Sequence, residues 1–588
     1  MNKISELILR KEPFIFFIIA VLNLLAIFML DFYYSVDGPQ HMLVAKSISE
    51  LIKGNEEVAR YIKINDLIVG YWTGTFILAL FKLIMSAKLA MKLLLAVYYL
   101  GIAYSFRYLV RSFSHAPTLI TLLIIPFSAN YFIGNGYLNF CLGFILMFLS
   151  LGYYIRKFNN FNWKSMLIMA LLLILGFLTH AFVFAFTGLQ IALFLLFKIV
   201  NLWIQTGNIK KTLKVFGIQL LIIILFSLPA IILWINYVIS IQEITDYVKV
   251  QYVSKLFLAQ KIRDISILSW FVKEPHYLTN KAILLLLVFL VIFTVTSRIR
   301  SIFGKVKNAA DRRMQTADFC FITMIIIALL YFFYPNKLIT GNISSRLLLF
   351  LFFAILTWLS TQKYPAWISI VVLIAIIPIS YMKWNIRMDY LPKMGKKAVE
   401  IQTISKSMEE NAVYAAINYS KIWTEGHLTC MPGIDKTLIF TYTPQTRGQF
   451  PIVVNKTSCP RLYLGTKNVY TSKLYWSLIG DDSNPERPVD YVVLINRKSY
   501  AGTPDQQIVM EELRKYYILT DSTSSKSAYL YELRNRKQLV EAYNDAINQA
   551  EEKIKGTEQT LKGYYLNIYL DLLDKYSLIN EDMSEEDK

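Results

Sequence analysis

The sequence predicts an α-helical polytopic membrane protein that carries a small C-terminal α/β domain. Three observations support this fold class. Of the 588 residues, 55% are hydrophobic and only 17% are charged. Apolar runs of roughly 16 to 25 residues, which are long enough to cross a bilayer, recur through the first two thirds of the chain. Beyond residue 390, short strand-like and helix-like stretches replace these runs.

The net charge of +20 would suit a nucleic-acid-binding protein, but its distribution argues against one. Much of the excess falls in short loops between apolar runs, for example at Arg156-Lys157 and Lys210-Lys211. Basic loops of this kind face the cytoplasm in membrane proteins. No basic segment is interleaved with aromatic residues in a soluble module, so no nucleic-acid partner is expected.

The first span is predicted at about 13–30, as a retained anchor with a cytoplasmic N-terminus, because no small-residue cleavage site follows it. An outer loop over 31–68 contains an amphipathic helix. The stretch 69–106 is compatible with one crossing or two. One crossing places the later basic clusters inside, so residues 66–86 are predicted to form a helix on the outer membrane surface.

Further apolar stretches of spanning length complete the membrane domain. They are predicted at about 118–133, 138–155, 165–180, 182–200, 213–236, 281–297, 317–334, 346–360 and 365–382. The total is about eleven crossings in a transmembrane domain over 1–385, with a large outer loop over 237–280. We therefore expect a protein of the plasma membrane (the inner membrane of a bacterium) whose C-terminal part is extracytoplasmic.

The outer α/β domain is predicted over 390–535. Its expected strands are Asn411–Ile417, Lys436–Thr441, Val489–Ile495 and Ala528–Leu533, and its expected helices are 395–409 and 504–517. No glycine-rich phosphate loop follows a strand. Residues 536–588 are predicted as a helical charged tail with a disordered end.

The four cysteines fall into two groups. Cys141 and Cys320 lie within apolar runs and are expected to be packing residues. Cys430 and Cys459 lie in the polar C-terminal part. If that part is extracytoplasmic they are a candidate disulfide, although the sequence leaves the pairing open.

A polar, aromatic-rich segment, Asp31-Phe-Tyr-Tyr-Ser-Val-Asp37-Gly-Pro-Gln-His41, follows the first span. If a helix begins near Pro39, Asp37 lies just before its first turn and His41 lies within that turn. Two interpretations are open. Asp37 caps the helix, as aspartate often does, or its carboxylate is held on a tight Gly-Pro turn as a reactive group.

Under this topology, polar residues gather at the outer ends of several spans. They are Asn135, Tyr137 and Asn139 in a glycine-rich turn, His180, His276, Lys337 and Arg346, together with Lys82, Lys88 and Lys92 near the outer headgroups. Polar groups at membrane depth are energetically expensive, and several at one level often mark a ligand site. Structural alternatives remain: His180 as a helix-end residue, Arg346 extending to the headgroups, and the three lysines as a solvated or lipid-facing set.

Glycosyl transfer to a hydroxyl needs a carboxylate that accepts a proton and cations that stabilise a departing phosphate. The predicted topology places a candidate carboxylate and candidate cations on the same side of the membrane. No Asp-x-Asp pattern occurs in the short outer loops, and no His/Cys cluster has zinc spacing, so no cofactor is predicted. Glu243, Asp246 and Glu274 in the large outer loop leave a divalent metal open.

The order of features over most of residues 1–382 resembles the GT-C superfamily of membrane glycosyltransferases. That superfamily includes protein O-mannosyltransferases and bacterial enzymes that add aminoarabinose to lipid A. The similar features are a first outer loop with Asp37 and His41, a surface helix, Leu178-Thr-His180 and the Pro335…Arg346 element. This chain has Asp37-Gly-Pro-Gln where paired acids would be expected, and its second outer loop, 134–139, has no acid.

The resemblance implies a sugar donor on a polyprenyl phosphate and inverting transfer on the outer face. If the roles known in that superfamily are carried over to this chain, Asp37 is the candidate base and His41 is the second candidate catalytic residue. Arg346, Lys337, Lys88 and Lys92 become candidates for the donor phosphate, and His180, Asn135, Tyr137, Asn139 and His276 for substrate binding. Membrane lipids are expected partners, and the acceptor is left open as lipid, glycan or protein.

Two other functional classes remain open. A flippase or transporter for a lipid-linked or polyanionic substrate would suit the many spans, but it predicts ionisable groups through the middle of the spans, whereas here they lie near the ends. A non-enzymatic envelope scaffold would use the outer domain and the charged tail to bind a partner.

Overall fold

The structure, a computed structural model of the chain, describes residues 3–113, 119–244, 250–270, 274–303, 318–337, 342–440, 450–455, 463–468, 471–475, 489–497 and 504–557. Its α-helices in chain order are α1 Lys3–Arg10, α2 Glu12–Leu22, α3 Leu25–Met29, α4 Gly38–Ile52, α5 Glu56–Tyr61, α6 Trp72–Lys82, α7 Ala87–Phe113, α8 Ile124–Ser128, α9 Tyr131–Asn135, α10 Leu138–Lys157, α11 Trp163–Thr179, α12 Ala181–Thr206, α13 Ile209–Ile244, α14 Lys255–Arg263, α15 Tyr277–Phe303, α16 Asp318–Phe333, α17 Ile343–Ser360, α18 Ala366–Thr403, α19 Pro504–Tyr516 and α20 Arg536–Ile554.

The strands are short and lie mostly toward the C-terminus. They are β1 Ile62–Ile64, β2 Val413–Asn418, β3 Ile439–Phe440, β4 Ile452–Val454, β5 Tyr463–Asn468, β6 Thr471–Tyr475, β7 Tyr491–Ile495, β8 Tyr517–Ser522 and β9 Ala528–Leu533.

The chain divides into two compact units. They are a first unit of Met1–Asp31, Leu67–Gly74 and Lys92–Leu391, and a second unit of Phe32–Asp66, Thr75–Met91 and Pro392–Lys588. The predicted domain boundaries near 385–390 and 535 stay predictions. Cys459 and residues 558–588 lie outside the described residues, so the Cys430–Cys459 pairing and the predicted form of the end of the tail stay predictions as well.

The described residues contain eight helical segments that are long and apolar enough to cross a membrane. Three shorter apolar segments, Leu119–Asn135, Trp163–Thr179 and Asp318–Phe333, accompany them. The predicted fold class, a helical membrane protein with a small C-terminal sheet, is confirmed. The number of crossings and the orientation stay predictions.

The helices of the first unit divide into core and lipid-facing members. In the apolar window of α17, 83% of the residues are buried, against 22% in that of α13. Because α13 is apolar yet exposed, its surface is suited to lipid tails rather than water. The first unit therefore builds its core around α17.

One predicted helix is interrupted in the structure, and two others are joined. The stretch predicted as one span at 118–133 is interrupted, because Asn130 accepts hydrogen bonds from the backbone N–H groups of Phe132 and Ile133 and so begins a new helix, α9. The helices expected at 365–382 and 395–409 are instead one helix, α18, of 38 residues. Pro392, which lies between the two predicted helices, does not end α18.

The second unit contains a five-stranded mixed sheet in the order β3-β2-β7-β9-β8. β2 pairs in parallel with β3 and β7, and β9 pairs antiparallel with β7 and β8. β2 and β7 are buried throughout. The four predicted strands are present. The helix expected to reach 517 ends at Tyr516, where the β-favouring residues Tyr517, Ile518 and Leu519 begin β8.

Candidate functional site

Asp37 precedes α4 in the second unit, as the sequence predicted, but its carboxylate does not cap the helix. The residue occupies the N-cap position with φ −87° and ψ −4° and makes no side-chain capping hydrogen bond. An aspartate at an N-cap normally accepts from a backbone N–H one turn into the helix. The capping interpretation is therefore wrong for this side chain, and its oxygens are available for other contacts.

The turn before α4 is tight. The backbone N–H of Gly38 donates to the carbonyl of Ser35 at 3.1 Å. A Cβ atom on Gly38 would lie 2.6 Å from Ser35 Oγ, so no larger residue fits there without a shift. The Gly-Pro pair thus fixes the position of the Asp37 side chain at the start of α4.

The partner of Asp37 is His427, which directly precedes the 3₁₀ turn Leu428–Gly433. The Nε2 atom of His427 lies 3.3 Å from Oδ1 of Asp37, close enough for an ion pair when the imidazole is protonated. Both side chains remain partly exposed, at 23% for Asp37 and 15% for His427. The carboxylate is thus oriented and still accessible to another molecule.

A second carboxylate of the second unit, Glu425, is buried near this pair. Its Oε1 atom lies 2.6 Å from Lys397 Nζ, and its Oε2 atom accepts from Asn496 at 3.1 Å. Tyr34 donates its hydroxyl to the carbonyl of Thr424. Burial, followed by the charges of Glu425 and Asp37, raises the pKa of Tyr34, so this phenol stays protonated and acts as a donor.

The other predicted residues of the second unit are placed as follows. His41 is buried one turn into α4, and its backbone N–H donates to the Asp37 carbonyl at 3.0 Å. Lys88 is half-buried in the first turn of α7. Lys82, expected near headgroups, is instead buried in an ion pair with Asp435. That carboxylate also accepts from the backbone N–H of Ala87 at 2.7 Å, so Lys82 has a structural role.

The first unit contains its own candidate site, a cavity of about 390 Å³. Helices α12, α13, α16 and α17 form its walls. It is lined by Tyr71, His180, Ala181, Phe182, Ala185, Phe186, Leu189, Trp234, Tyr237, Val238, Leu330, Tyr334, Ile343, Arg346 and Leu347. The lining is apolar and aromatic with a few polar groups, which is the usual composition of a ligand pocket.

Arg346 supplies the positive charge of this cavity. It lies in the first turns of α17, with its guanidinium carbon 5.9, 5.5 and 5.8 Å from the ring centres of Tyr137, Phe140 and Phe182. Its Nε atom is buried without a hydrogen-bond partner among the described residues, and no carboxylate there forms an ion pair with it. Cation–π contacts with these three rings hold the guanidinium in place. Its Nε donor remains available to an anion.

His180 lies beside Arg346 on the cavity wall, at the break between α11 and α12. Its ring meets the rings of Tyr71 and Phe140 edge-on, with centroid distances of 5.0 and 5.1 Å. The Nδ1 atom of His180 is buried and has no hydrogen-bond partner in the described part of the chain. A buried imidazole nitrogen of this kind is suited to a polar group of a ligand.

Asn139 fixes the backbone of the cavity wall at Tyr71. Its Nδ2 atom donates to the carbonyl of Tyr71 at 2.9 Å, and its Oδ1 atom accepts from the N–H of Gly74 at 2.7 Å. Tyr71 has φ 68°, a left-handed conformation that is unfavourable for a residue with a side chain. The amide of Asn139 therefore stabilises a strained turn at the cavity wall.

The other predicted residues of the first unit do not line this cavity. Asn135 is buried at the end of α9. The backbone carbonyl of Lys337 accepts from Gln251 at 3.2 Å, and its side chain is exposed. His276 is buried at another place, and Lys92 is half-buried in α7. Their proposed substrate contacts stay predictions.

Among the described residues, no group of three or more His, Cys, Asp or Glu side chains is arranged to hold a metal ion. Three functional candidates were not singled out from the sequence: His427, Tyr71 and Tyr237. His427 is 390 residues away from its partner, so no local spacing signal links the two. Tyr71 directly precedes α6, and its sequence neighbours give no signal of a role at the cavity.

No protein-family model matches the chain, and no curated protein matches it in sequence. Among solved structures, the chain is similar to the crystal structure of ArnT from Cupriavidus metallidurans, which is bound to undecaprenyl phosphate. The similarity covers 88% of this chain and 97% of ArnT, at 10% sequence identity and a TM-score of 0.48. At this identity and TM-score the similarity assigns no role to any residue of this chain.

Proposed function

We propose that this chain is an integral membrane glycosyltransferase. It transfers a sugar from a polyprenyl-phosphate donor to a hydroxyl of an extracytoplasmic acceptor. Arg346 binds the donor phosphate, and Asp37 acts as general base.

The observation that carries the proposal is the Arg346 cavity of the first unit. A guanidinium held over three aromatic rings, without a carboxylate partner among the described residues, is suited to a phosphate. The surrounding walls of Phe182, Phe186 and Trp234 are suited to an isoprenoid chain. A lipid-linked phosphate combines these two requirements, whereas a soluble sugar phosphate satisfies only the first.

Asp37 is the proposed proton acceptor. The Asp37 carboxylate is accessible and makes no capping hydrogen bond, and it is oriented by His427 at 3.3 Å. In the proposed reaction the acceptor hydroxyl oxygen forms a bond to the anomeric carbon, and the bond from that carbon to the phosphate oxygen breaks. The hydroxyl proton passes to Asp37, and the electron pair leaves with polyprenyl phosphate, whose charge Arg346 stabilises.

The test uses the full-length protein in proteoliposomes with radiolabelled polyprenyl-phosphate hexoses and pentoses, mixed with a membrane extract as acceptor. Transfer by the wild type and its loss in Asp37→Asn, with insertion and folding intact, is the expected result. Full transfer by Asp37→Asn would remove this residue from the mechanism. Translocation of the labelled donor across the bilayer without transfer would instead favour a flippase.

A further inference from the structure

A second group of cations lies in the first unit, apart from the Arg346 cavity. Lys383 and Arg387 are one turn apart on α18, and His276 in the 3₁₀ turn Glu274–His276 is within electrostatic range of both. All three are buried, with 3 to 4% of each residue exposed. None of them lines the Arg346 cavity. We call these three residues the α18 cation cluster.

The α18 cation cluster has no counter-charge in the described part of the chain. No carboxylate there forms an ion pair with Lys383 or Arg387, and the two cations repel one another. The Nε and Nη1 atoms of Arg387 and the Nδ1 atom of His276 are buried without a hydrogen-bond partner. Buried charges are normally paired, because an unpaired one destabilises the fold. The cluster is therefore suited to an anion.

The cluster is held rigidly by neighbouring backbone and amide groups. Lys383 Nζ donates to the carbonyl of Leu268 at 2.9 Å, and Arg387 Nη2 donates to Asn23 Oδ1 at 3.2 Å. Asn280 in turn donates to the carbonyls of Asp264 and Ile265 at 3.2 and 3.3 Å, which holds the loop that carries Leu268. These bonds use one donor of each cation, and Arg387 Nε and Nη1 have no acceptor among the described residues.

The position of the cluster along the apolar helices indicates the kind of anion. Lys383 and Arg387 directly follow the apolar part of α18, and His276 directly precedes the apolar helix α15. Tyr381 and Trp384 lie on either side of Lys383 in the sequence, and their rings stack 5.8 Å apart. The indole Nε1 of Trp384 also has no partner among the described residues. Aromatic and basic residues at the ends of apolar helices are typical of the headgroup level of a bilayer.

We propose that the α18 cation cluster binds the headgroup phosphate of an anionic membrane lipid. Arg387 supplies two free donors to the phosphate oxygens, and Lys383 supplies a further positive charge. The lipid would act as a structural partner of the first unit. This inference does not rest on the proposed transferase function.

The test follows thermal unfolding of the delipidated full-length protein in detergent. Short-chain phosphatidylglycerol, short-chain phosphatidylcholine and sodium phosphate are titrated at matched ionic strength. Phosphatidylglycerol is expected to raise Tm by about 3 °C or more at saturation, since a ligand that binds only the folded state stabilises it. Phosphatidylcholine and free phosphate are each expected to shift Tm by less than about 1 °C.

A double variant, Lys383→Met with Arg387→Met, is expected to lose the phosphatidylglycerol shift. Without lipid it should be at least as stable as the wild type, because two uncompensated buried charges are gone. Lys281→Met is the matched control, because Lys281 is exposed on the first turn of α15 and its ammonium lies 4.1 Å from the Tyr277 ring centre. It should keep the full shift.

An equal phosphatidylglycerol shift in the double variant and the wild type would overturn the proposal. An equal shift with free phosphate would overturn the assignment to a lipid. If the double variant does not fold, Arg387→Lys takes its place, since it keeps the charge but loses the planar donors. In that variant native mass spectrometry is expected to show at least a fivefold loss of retained phosphatidylglycerol, and unchanged retention would also reject the proposal.

Discussion

The Nε2 atom of His427 lies 3.3 Å from Oδ1 of Asp37, and this contact joins two residues that are 390 positions apart in the sequence. It gives the Asp37 carboxylate a partner other than the N-terminus of α4. Because the carboxylate is both oriented and accessible, the pair leads to testable expectations on activity and stability.

The first prediction concerns Asp37→Asn. General-base catalysis contributes about 10²- to 10⁴-fold, so transfer is expected to fall at least a hundredfold. The thermal stability should change by less than about 1 °C, since the side chain makes no capping hydrogen bond. Initial rates with labelled donor and a melting curve measure the two effects. Asp66→Asn, at a carboxylate that is 87% exposed, is the matched control and should keep full activity.

The second prediction concerns His427→Gln, which tests a positioning role. The apparent kcat is expected to fall about tenfold, and the KM for the donor should be unchanged, because His427 contacts the base rather than the phosphate. A rate identical to that of the wild type would show that the contact has no catalytic effect.

The third prediction concerns Arg346→Gln. A hydrogen bond to a charged group contributes about 1.5–3 kcal/mol, so the KM for the polyprenyl-phosphate donor should rise roughly ten- to a hundredfold. Arg346→Lys should recover part of the loss, since it keeps the charge without the planar donors. Arg263→Gln is the control, because that side chain is 69% exposed and pairs with its neighbour Asp264. An unchanged donor KM in Arg346→Gln would exclude Arg346 from phosphate binding.

The fourth prediction concerns the turn at Tyr71. Asn139→Ala removes the hydrogen-bond partner of both the Tyr71 carbonyl and the Gly74 N–H. Each unsatisfied group costs about 1–3 kcal/mol of folding stability, so Tm should fall by several degrees. Gly74→Ala should do the same, because its Cβ would lie 2.7 Å from Asn139 Oδ1 and 2.8 Å from Leu142 Cδ1. Asn160→Ala, at an exposed loop position, is the control. Wild-type melting curves for both variants would contradict this account.

The fifth prediction is a pH dependence of stability that arises from Glu50. Burial acts to raise its pKa, but hydrogen bonds from Lys46, Lys53 and Asn55 prevail and lower it from 4.5 to about 2. A folded-state pKa below the unfolded value contributes stability that is present above about pH 4.5 and is lost as the pH falls toward 2.

Glu50→Gln should therefore be less stable than the wild type at pH 5–7. The difference in Tm should shrink steadily as the pH falls from about 4.5. Melting curves between pH 3 and 7 measure it. A difference that is independent of pH would assign the effect of the substitution to packing rather than to charge.

The sequence by itself determined the membrane class and most of the helix positions. Apolar runs of spanning length have no stable alternative in water, so α10, α11, α16 and α17 were predictable within a few residues. Short runs rich in β-favouring residues likewise identified β2, β7 and β9. The sequence also placed Asp37 next to the start of a helix, because a Gly-Pro pair after an acid is a local signal.

Only the tertiary structure decided what the polar groups do. It joined Asp37 to His427, paired Lys82 with Asp435, and left Arg346 and Arg387 without a carboxylate among the described residues. Local sequence governs helix formation through interactions a few residues apart, whereas the partner of a charged side chain depends on which distant segments pack against it. A residue's neighbours in space, and thus its chemistry, are set by that packing.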